Sequence, residues 1–230
     1  VLPADHEIKE PRVFHEKIRL GCSLADQGLL VTFGVEPETA TSSFGYIQKG
    51  DQVGSGFKVQ GFKEKPDVAT AREYLRSGDY LWNSGIFLFR KSSIVKILRS
   101  LCPEILTACT LALETARVDG NDIYLNEENF SNCPEGSIDE LVMERTNESA
   151  VVPMSVGWTD VGTWQSFWKG GSKNERENLV LGNVIESESH GCIIKNTADA
   201  LVTVFGVSDL AIINTQDALL VTKMENTQGK

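Results

Sequence analysis

The chain has 230 residues, with 32 Asp plus Glu against 22 Lys plus Arg and a formal net charge of −10. That acidic balance argues against a nucleic-acid partner, because phosphate backbones are met by clustered Lys and Arg, and no apolar run approaches the roughly 20 residues that cross a bilayer. At 41% hydrophobic and 23% charged residues the composition is that of a globular chain, long enough for one or two domains.

Taken in chain order, Val1 to Ala4 is an apolar run followed by Asp5, read as a strand that presents an acid at its end. Pro11 to Cys22 has Phe14, Ile18 and Cys22 at four-residue spacing and is expected to be a helix. Leu29 to Val35, between Gly28 and Gly34, is a second strand, and Tyr46 to Gln48 and Phe57 to Lys63 are ribbon-like runs. Gly54-Ser55-Gly56 between the ribbons is a hairpin signal rather than a phosphate cradle. Asp67 after Pro66 reads as an N-cap for a helix that ends at Gly78. Ile86 to Phe89 is a strand, Ile94, Ile97, Leu98 and Leu101 mark a half-buried helix, and Ser137 with Glu140 forms a capping box. Such alternation predicts an α/β layer fold with a mostly parallel sheet over residues 1–175.

From residue 176 to 230 the helical pattern stops. Asn178 to Ile185, Cys192 to Lys195, Leu201 to Val207, Leu210 to Asn214 and Ala218 to Lys223 are short β-rich runs. They predict a small all-β unit, either a barrel fragment or a few coils of a β-helix, with packing or homo-oligomerisation as its role. The five cysteines (Cys22, Cys102, Cys109, Cys133, Cys192) show no Cys-x-x-Cys spacing, and His6, His15 and His190 are the only histidines. This argues against a zinc site and is read as free thiols in a reducing cytoplasm.

One further acid stands out. Asp160 lies in Gly157-Trp158-Thr159-Asp160-Val161-Gly162-Thr163-Trp164, again after a short apolar run and beside turn residues. Two carboxylates presented in the manner of Asp5 and Asp160 can hold one hard divalent cation, with water and phosphate oxygens completing its shell. Read singly, each is an ordinary cap or turn residue.

The segment Gly157 to Trp164 resembles the Gly-Trp-Ser-Asp-Val-Gly-Ser-Trp stretch of mannose-1-phosphate guanylyltransferases. Phe44-Gly45-Tyr46-Ile47, Glu64-Lys65-Pro66-Asp67, Trp82-Asn83-Ser84-Gly85-Ile86-Phe87-Leu88-Phe89 and Ser137-Ile138-Asp139 with Met143-Glu144 resemble the same family in the same order. The resemblance implies a Rossmann-like nucleotidyltransferase sheet followed by a β-helix-like unit. It also implies transfer of GMP from GTP to mannose-1-phosphate, with Mg²⁺ held by Asp5 and Asp160. Lys65 is then expected at the sugar phosphate, Glu64 and Asn83 at the sugar hydroxyls, and Gly45 and Gly85 where ligand approaches backbone. Tyr46 either walls that pocket or belongs to the core, and Gly85 is alternatively a simple strand-entry glycine. If the strand continues through Lys65, Glu64 faces away from Lys65, and Lys63 shares the Lys65 face. Asp139 reads as a first-turn acid favoured by the helix dipole. Relatives open on a glycine-rich loop ending in Thr-Arg-Leu-Trp-Pro, which no stretch here resembles, so the sequence is expected to be the later part of a longer polypeptide. Two other readings stand beside this one: a pyrophosphorylase for another hexose or nucleotide, and a non-catalytic scaffold without the triphosphate loop.

Overall fold

The computed structural model describes residues 1–228 and divides into two compact units, Val1–Pro3 with Lys9–Val156, and Ala4–Ile8 with the chain from Gly157 onward. In the first unit, helix α1 (Pro11–Ala25) starts on a proline whose missing N–H costs nothing there. Its buried face is Phe14, Gly21, Leu24 and Ala25, whereas Cys22 is exposed, so the expected Phe14–Ile18–Cys22 face is rotated. The absence of a side chain at Gly21 lets the helix approach strand β2 (Leu30–Val35): a Cβ there would lie 3.1 Å from both Phe33 and Leu88.

β2 is buried from Leu30 to Gly34 and sits between β5 (Tyr80–Leu88) and β8 (Ser149–Met154). Strands β3 (Tyr46–Val53) and β4 (Gly56–Lys63) complete the order β2-β5-β3-β4-β8, and β8 returns beside β2 to close it. Only the β2–β8 pair is parallel; β2–β5, β3–β5, β3–β4 and β4–β8 are antiparallel. The expected mostly parallel sheet is thus corrected to a mixed one. The cause is local: β3 and β4 are joined by a tight turn at Gly54-Ser55, with Gly54 at φ +53, and a connection that short can only reverse the chain.

Around the sheet lie α2 (Val68–Ser77), α3 (Lys91–Leu101), α4 (Pro103–Glu114), the hairpin of β6 (Arg117–Asp119) and β7 (Asp122–Tyr124), and α5 (Glu127–Ser131). α2 is delimited as its sequence foretells: Asp67 accepts from the Thr70 N–H at 2.9 Å, and Gly78 ends it at φ +74. Asp139–Met143 is a single π-helical turn, with Val142 and Met143 packed against Leu30, Phe87 and Ile97. Val1 to Ala4 is not a strand. Val1 exchanges two backbone hydrogen bonds with Phe87 (2.7 and 3.1 Å), but Val1 and Leu2 are 73% and 61% exposed, and regular pairing begins only at His6.

In the second unit, β1 (His6–Ile8) pairs antiparallel with β9 (Trp158–Asp160), and α6 (Trp164–Gly170) follows, capped by Thr163. Strands β10 (Leu179–Leu181), β12 (Ile193–Asn196) and β14 (Leu210–Asn214) stack in parallel. So do β11 (Val184–Ser187) and β13 (Val202–Phe205), while β15 (Leu219–Lys223) adds antiparallel to β14. These are β-helix-like coils, not a barrel fragment. The expected single strand Asn178–Ile185 breaks in two at a corner where Gly182 takes φ +90. The later coils repeat every 18 residues, as the Val184–Val202 and Ile193–Ala211 pairings and the Asn214-to-Asn196 contact show, whereas β10 meets β12 at a 14-residue offset. Asn196 alone makes four hydrogen bonds: its amide donates to Asn183 O (2.8 Å) and Ala200 O (2.7 Å), and its oxygen accepts from Ala198 N (3.1 Å) and Asn214 Nδ2 (2.9 Å). Corner backbone that no ladder can satisfy is satisfied this way. By packing, the compact units part at Val156, because Trp164, Phe167 and Trp168 of α6 lie on Leu179, Ile193 and Ile213 of the coils. Among the described residues no helix is long and apolar enough to cross a membrane.

Candidate active site

In the first unit, β4 ends at Lys63 and the chain turns through Glu64-Lys65-Pro66. Lys65 takes φ +41, a left-handed conformation that a non-glycine residue adopts at a cost of about 1–2 kcal/mol. The period-two expectation fails here, because it holds only while the strand continues. Instead of facing apart, Lys65 Nζ lies 3.4 Å from Glu64 Oε1. Glu144 fixes the turn, its Oε1 accepting from the Glu64 N–H at 2.9 Å and from Lys63 Nζ at 3.2 Å. Lys63 is thereby committed to Glu144, away from Lys65's partner.

The Glu64 carboxylate lies over Gly45, where a Cβ would stand 2.5 Å from Oε2. Gly45 is the residue that lets this acid reach its place. Oε2 is buried without a hydrogen-bond partner among the described residues, a costly state that marks a waiting acceptor. Next to it is Asn83, 8% exposed, whose backbone N–H donates to Gly45 O at 2.8 Å. Asn83 Oδ1 accepts from Thr32 Oγ1 (3.1 Å) and the Gly85 N–H (3.2 Å), and its Nδ2 donates to Asp139 Oδ1 at 2.8 Å. Gly85 sits at φ +68, so glycine is required there by its backbone. Tyr46 is different: its side chain is fully buried against Ala71 and Trp82, and its hydroxyl is spent on Thr41. It belongs to the core, and any contact it makes with a ligand goes through its backbone.

Burial first, and then the Asp139 charge, raises the Glu64 carboxyl above its ordinary range, with Lys65 opposing; burial likewise raises Asp139, opposed by the Asn83 hydrogen bond. A carboxyl raised by folding binds protons more tightly in the native state, so these two groups cost stability as pH climbs from the ordinary carboxylate range through their raised values. Glu64→Gln is therefore expected to be more stable than the parent at pH 7, with the difference shrinking toward pH 4. Thermal melts of both proteins across that range check the sign; equal slopes would show that Glu64 is solvated in the folded state.

The second unit gathers the other acids. Asp160 ends β9 directly opposite His6, and Asp5 is the exposed residue that precedes His6 in a bend. Asp160 Oδ1 accepts from the Gly162 N–H at 2.7 Å and stands 4.0 Å from His6 Nε2. Trp158 Nε1 donates to His6 Nδ1 at 3.1 Å, which leaves Nε2 as the protonated nitrogen of a neutral ring, pointed at the acid. The sequence pattern does not single out His6; only the strand register reveals it. No cluster of three or more His, Cys, Asp or Glu able to hold a metal occurs among the described residues. Two hard carboxylates, one of them oriented by an amide, fit a small cation that keeps its waters and takes phosphate oxygens, and do not fit a closed zinc site. The structure thus collects Gly45, Glu64, Lys65, Asn83 and Gly85 in one unit and Asp5 with Asp160 in the other. It adds Asp139, Glu144 and His6. The Ser-Ile-Asp…Met-Glu spacing carried the signal for the first two, read there as a helix alone.

The chain therefore joins an α/β unit with a carboxylate-lysine cluster to β-helix coils and a pair of aspartates. Residues 1–177 match the nucleotidyl transferase family model, and residues 182–229 match that of the MannoseP isomerase/GMP-like β-helix domain. The chain belongs to the nucleotidyl transferase family. It is 40% identical over 235 residues to a mannose-1-phosphate guanylyltransferase of Salmonella montevideo, covering 99% of this chain and 50% of that protein. With the alginate biosynthesis protein AlgA of Pseudomonas aeruginosa it shares 38% identity over 231 residues, covering 99% and 48%. A solved structure described as mannose-1-phosphate geranyltransferase from Thermus thermophilus superposes with a TM-score of 0.85 at 32% identity, covering 99% of this chain and 66% of that one. The chain thus spans about half the length of the curated relatives it matches.

Proposed function

We propose that this chain carries the sugar-phosphate and metal residues of a mannose-1-phosphate guanylyltransferase, which joins GTP and mannose-1-phosphate into GDP-mannose and releases pyrophosphate. The observation that supports it best is the buried, unpartnered Glu64 oxygen beside the Lys65 ammonium, one acceptor and one cation for the two ends of a sugar phosphate. In this reaction a phosphate oxygen of the sugar attacks the α-phosphorus of GTP in line, so the protein must align two anions rather than form a covalent bond to either. Lys65 binds and neutralises the sugar phosphate; Glu64 accepts hydroxyls on the ring; Gly45 and Gly85 admit the ligand close to the backbone. Asp5 and Asp160 would hold Mg²⁺, which when bound offsets phosphate repulsion and charge on the leaving pyrophosphate. A reducing cytoplasm goes with this reading and with five free cysteines, and the β-helix coils serve packing or self-association.

Lys65 is the test. One charge-assisted hydrogen bond to phosphate is worth roughly 1.5–3 kcal/mol, about ten- to a hundredfold in affinity. Lys65→Ala is expected to weaken mannose-1-phosphate by that factor and mannose hardly at all. Lys63→Ala, whose ammonium is held by Glu144, should cost several-fold less. Calorimetric titrations of both variants decide it: equal small losses would return Lys65 to an ordinary surface lysine, and a larger loss from Lys63 would relocate the phosphate.

A further inference from the structure

The Asn83 side chain is largely committed before any ligand arrives. Its oxygen faces two donors, Thr32 Oγ1 and the Gly85 N–H, and one of its two amide hydrogens is on Asp139 Oδ1 at 2.8 Å. At 8% exposure it is the kind of polar residue that orients a neighbour. That neighbour is not needed where a first-turn acid is normally needed. The Glu140 N–H is already capped by Ser137 Oγ at 3.2 Å, and the turn Asp139 opens is only five residues long. Asp139 instead turns back toward β5 and Glu64.

We propose that Asp139 is a second sugar-hydroxyl acceptor working beside Glu64, and that Asn83 is the positioning residue that aims it. The proposal rests on the sugar-phosphate reading above and adds to it a named pair of acceptors. Neighbouring carboxylates repel one another, and after burial the Asp139 charge is the next cause of the upward displacement at Glu64. A phosphate brought to that pair would add a third like charge. An uncharged polyol does the reverse, since each hydroxyl donates one hydrogen to an acceptor oxygen without adding charge. Glu64 Oε2 has no protein donor among the described residues, and Asp139 accepts from Asn83 through Oδ1 and from its own backbone N–H, so carboxylate lone pairs remain on both acids. The ring hydroxyls of the sugar therefore fall to the Glu64–Asp139 side, and the phosphate falls to Lys65, whose ammonium approaches Glu64 through the other oxygen, Oε1, at 3.4 Å.

The experiment is a calorimetric series on the full-length protein with mannose-1-phosphate, its 2-, 3-, 4- and 6-deoxy analogues, and inorganic phosphate. Wild-type protein is expected to lose about tenfold or more in affinity on removal of each of two different hydroxyls, one per carboxylate. Asp139→Asn should weaken mannose-1-phosphate about tenfold, leave inorganic phosphate unchanged, and abolish discrimination at one of those two hydroxyls only. Asn83→Ala should reproduce that pattern at the same hydroxyl, and Glu64→Gln should abolish discrimination at the other. A purely structural Asp139 would weaken every analogue in equal proportion, and that result overturns the inference. So does a wild-type profile with a single sensitive hydroxyl, a measurement that needs no variant to fold. Wild-type protein that takes inorganic phosphate but no mannose-1-phosphate would overturn the parent reading and this one together. Wild-type binding with unaltered analogue ratios in Asp139→Asn removes this one alone.

Discussion

Asp160→Asn is expected to lower turnover in the full-length protein by about a hundredfold or more and to raise the Mg²⁺ concentration needed for half-maximal rate. Substitutions one shell further from a metal already cost 10- to 100-fold in affinity or activity, and this one removes a charge from a proposed ligand itself. Asp5→Asn should act in the same direction. Neither change should disturb the fold greatly, since Asn at 160 keeps an oxygen able to accept from the Gly162 N–H at 2.7 Å and Asp5 is exposed. Glu64→Gln is the contrast: it removes a ground-state contact with sugar, so the Michaelis constant for mannose-1-phosphate rises while the Mg²⁺ titration stays put. Steady-state rates at graded Mg²⁺ separate the two classes. An Asp160→Asn enzyme with near-normal turnover and a wild-type Mg²⁺ curve would dismiss the two-aspartate metal site.

The second large effect falls on the coils. Gly182→Ala is expected to destabilise the β-helix unit by about 3 kcal/mol or more, at the upper end of single-substitution effects, and to lower its melting temperature by roughly 12–24 °C. Two causes add. Gly182 holds φ +90, and a Cβ there would overlap the carbonyl oxygen of Asn196, a backbone atom that cannot swing aside. Moving Asn196 would also disturb its bonds to Asn183, Ala200 and Asn214. Gly206→Ala is the matched control, because Gly206 has φ +67 and nothing within 4 Å of its missing Cβ. It should show the backbone cost alone, about 1–2 kcal/mol. Similar melting shifts for both alanines would mean that the Asn196 backbone yields.

What could be read from sequence was mostly what is decided within a few residues. The Asp67 cap and the Gly78 stop of α2 depend on neighbours three positions away or nearer, and both are where the pattern places them. The Gly54-Ser55 hairpin is local too, although its consequence, an antiparallel β3–β4 pair inside a mixed sheet, was not drawn from it. Pairings between distant strands were out of reach: nothing near Leu30 says that its neighbours are Ser149 and, through Val31, Leu88. The Glu64–Lys65 contact was missed for a finer reason. Alternation presumes extended backbone, and Lys65 at φ +41 has left it. Tyr46 shows the limit of motif reasoning, since a motif marks that a position matters without saying whether its side chain or its backbone does the work. The 18-residue spacing of Asn196 and Asn214 is present in the sequence, but it becomes meaningful only once the chain is seen to coil with the same period.

The pairing of β1 with β9 has a consequence for how the acid pair comes into being. The Trp158-to-His6 bond spans 152 positions of sequence, yet the ladder that joins the two segments is three residues long. Closing so long a loop carries an entropic penalty that grows by about 0.6 kcal/mol with each doubling of its length, and three paired residues offset little of it. The β3–β4 hairpin, closed by a two-residue turn, bears almost none. The segments that carry Asp5 and Asp160 are therefore expected to pair after such local elements and to fray before them, even with the Lys9 and Glu10 N–H groups both on Val156 O. A cation bound to both would act as a clasp, holding the ends of that loop together, and its apparent affinity would be scaled down by the fraction of molecules in which the clasp stands open.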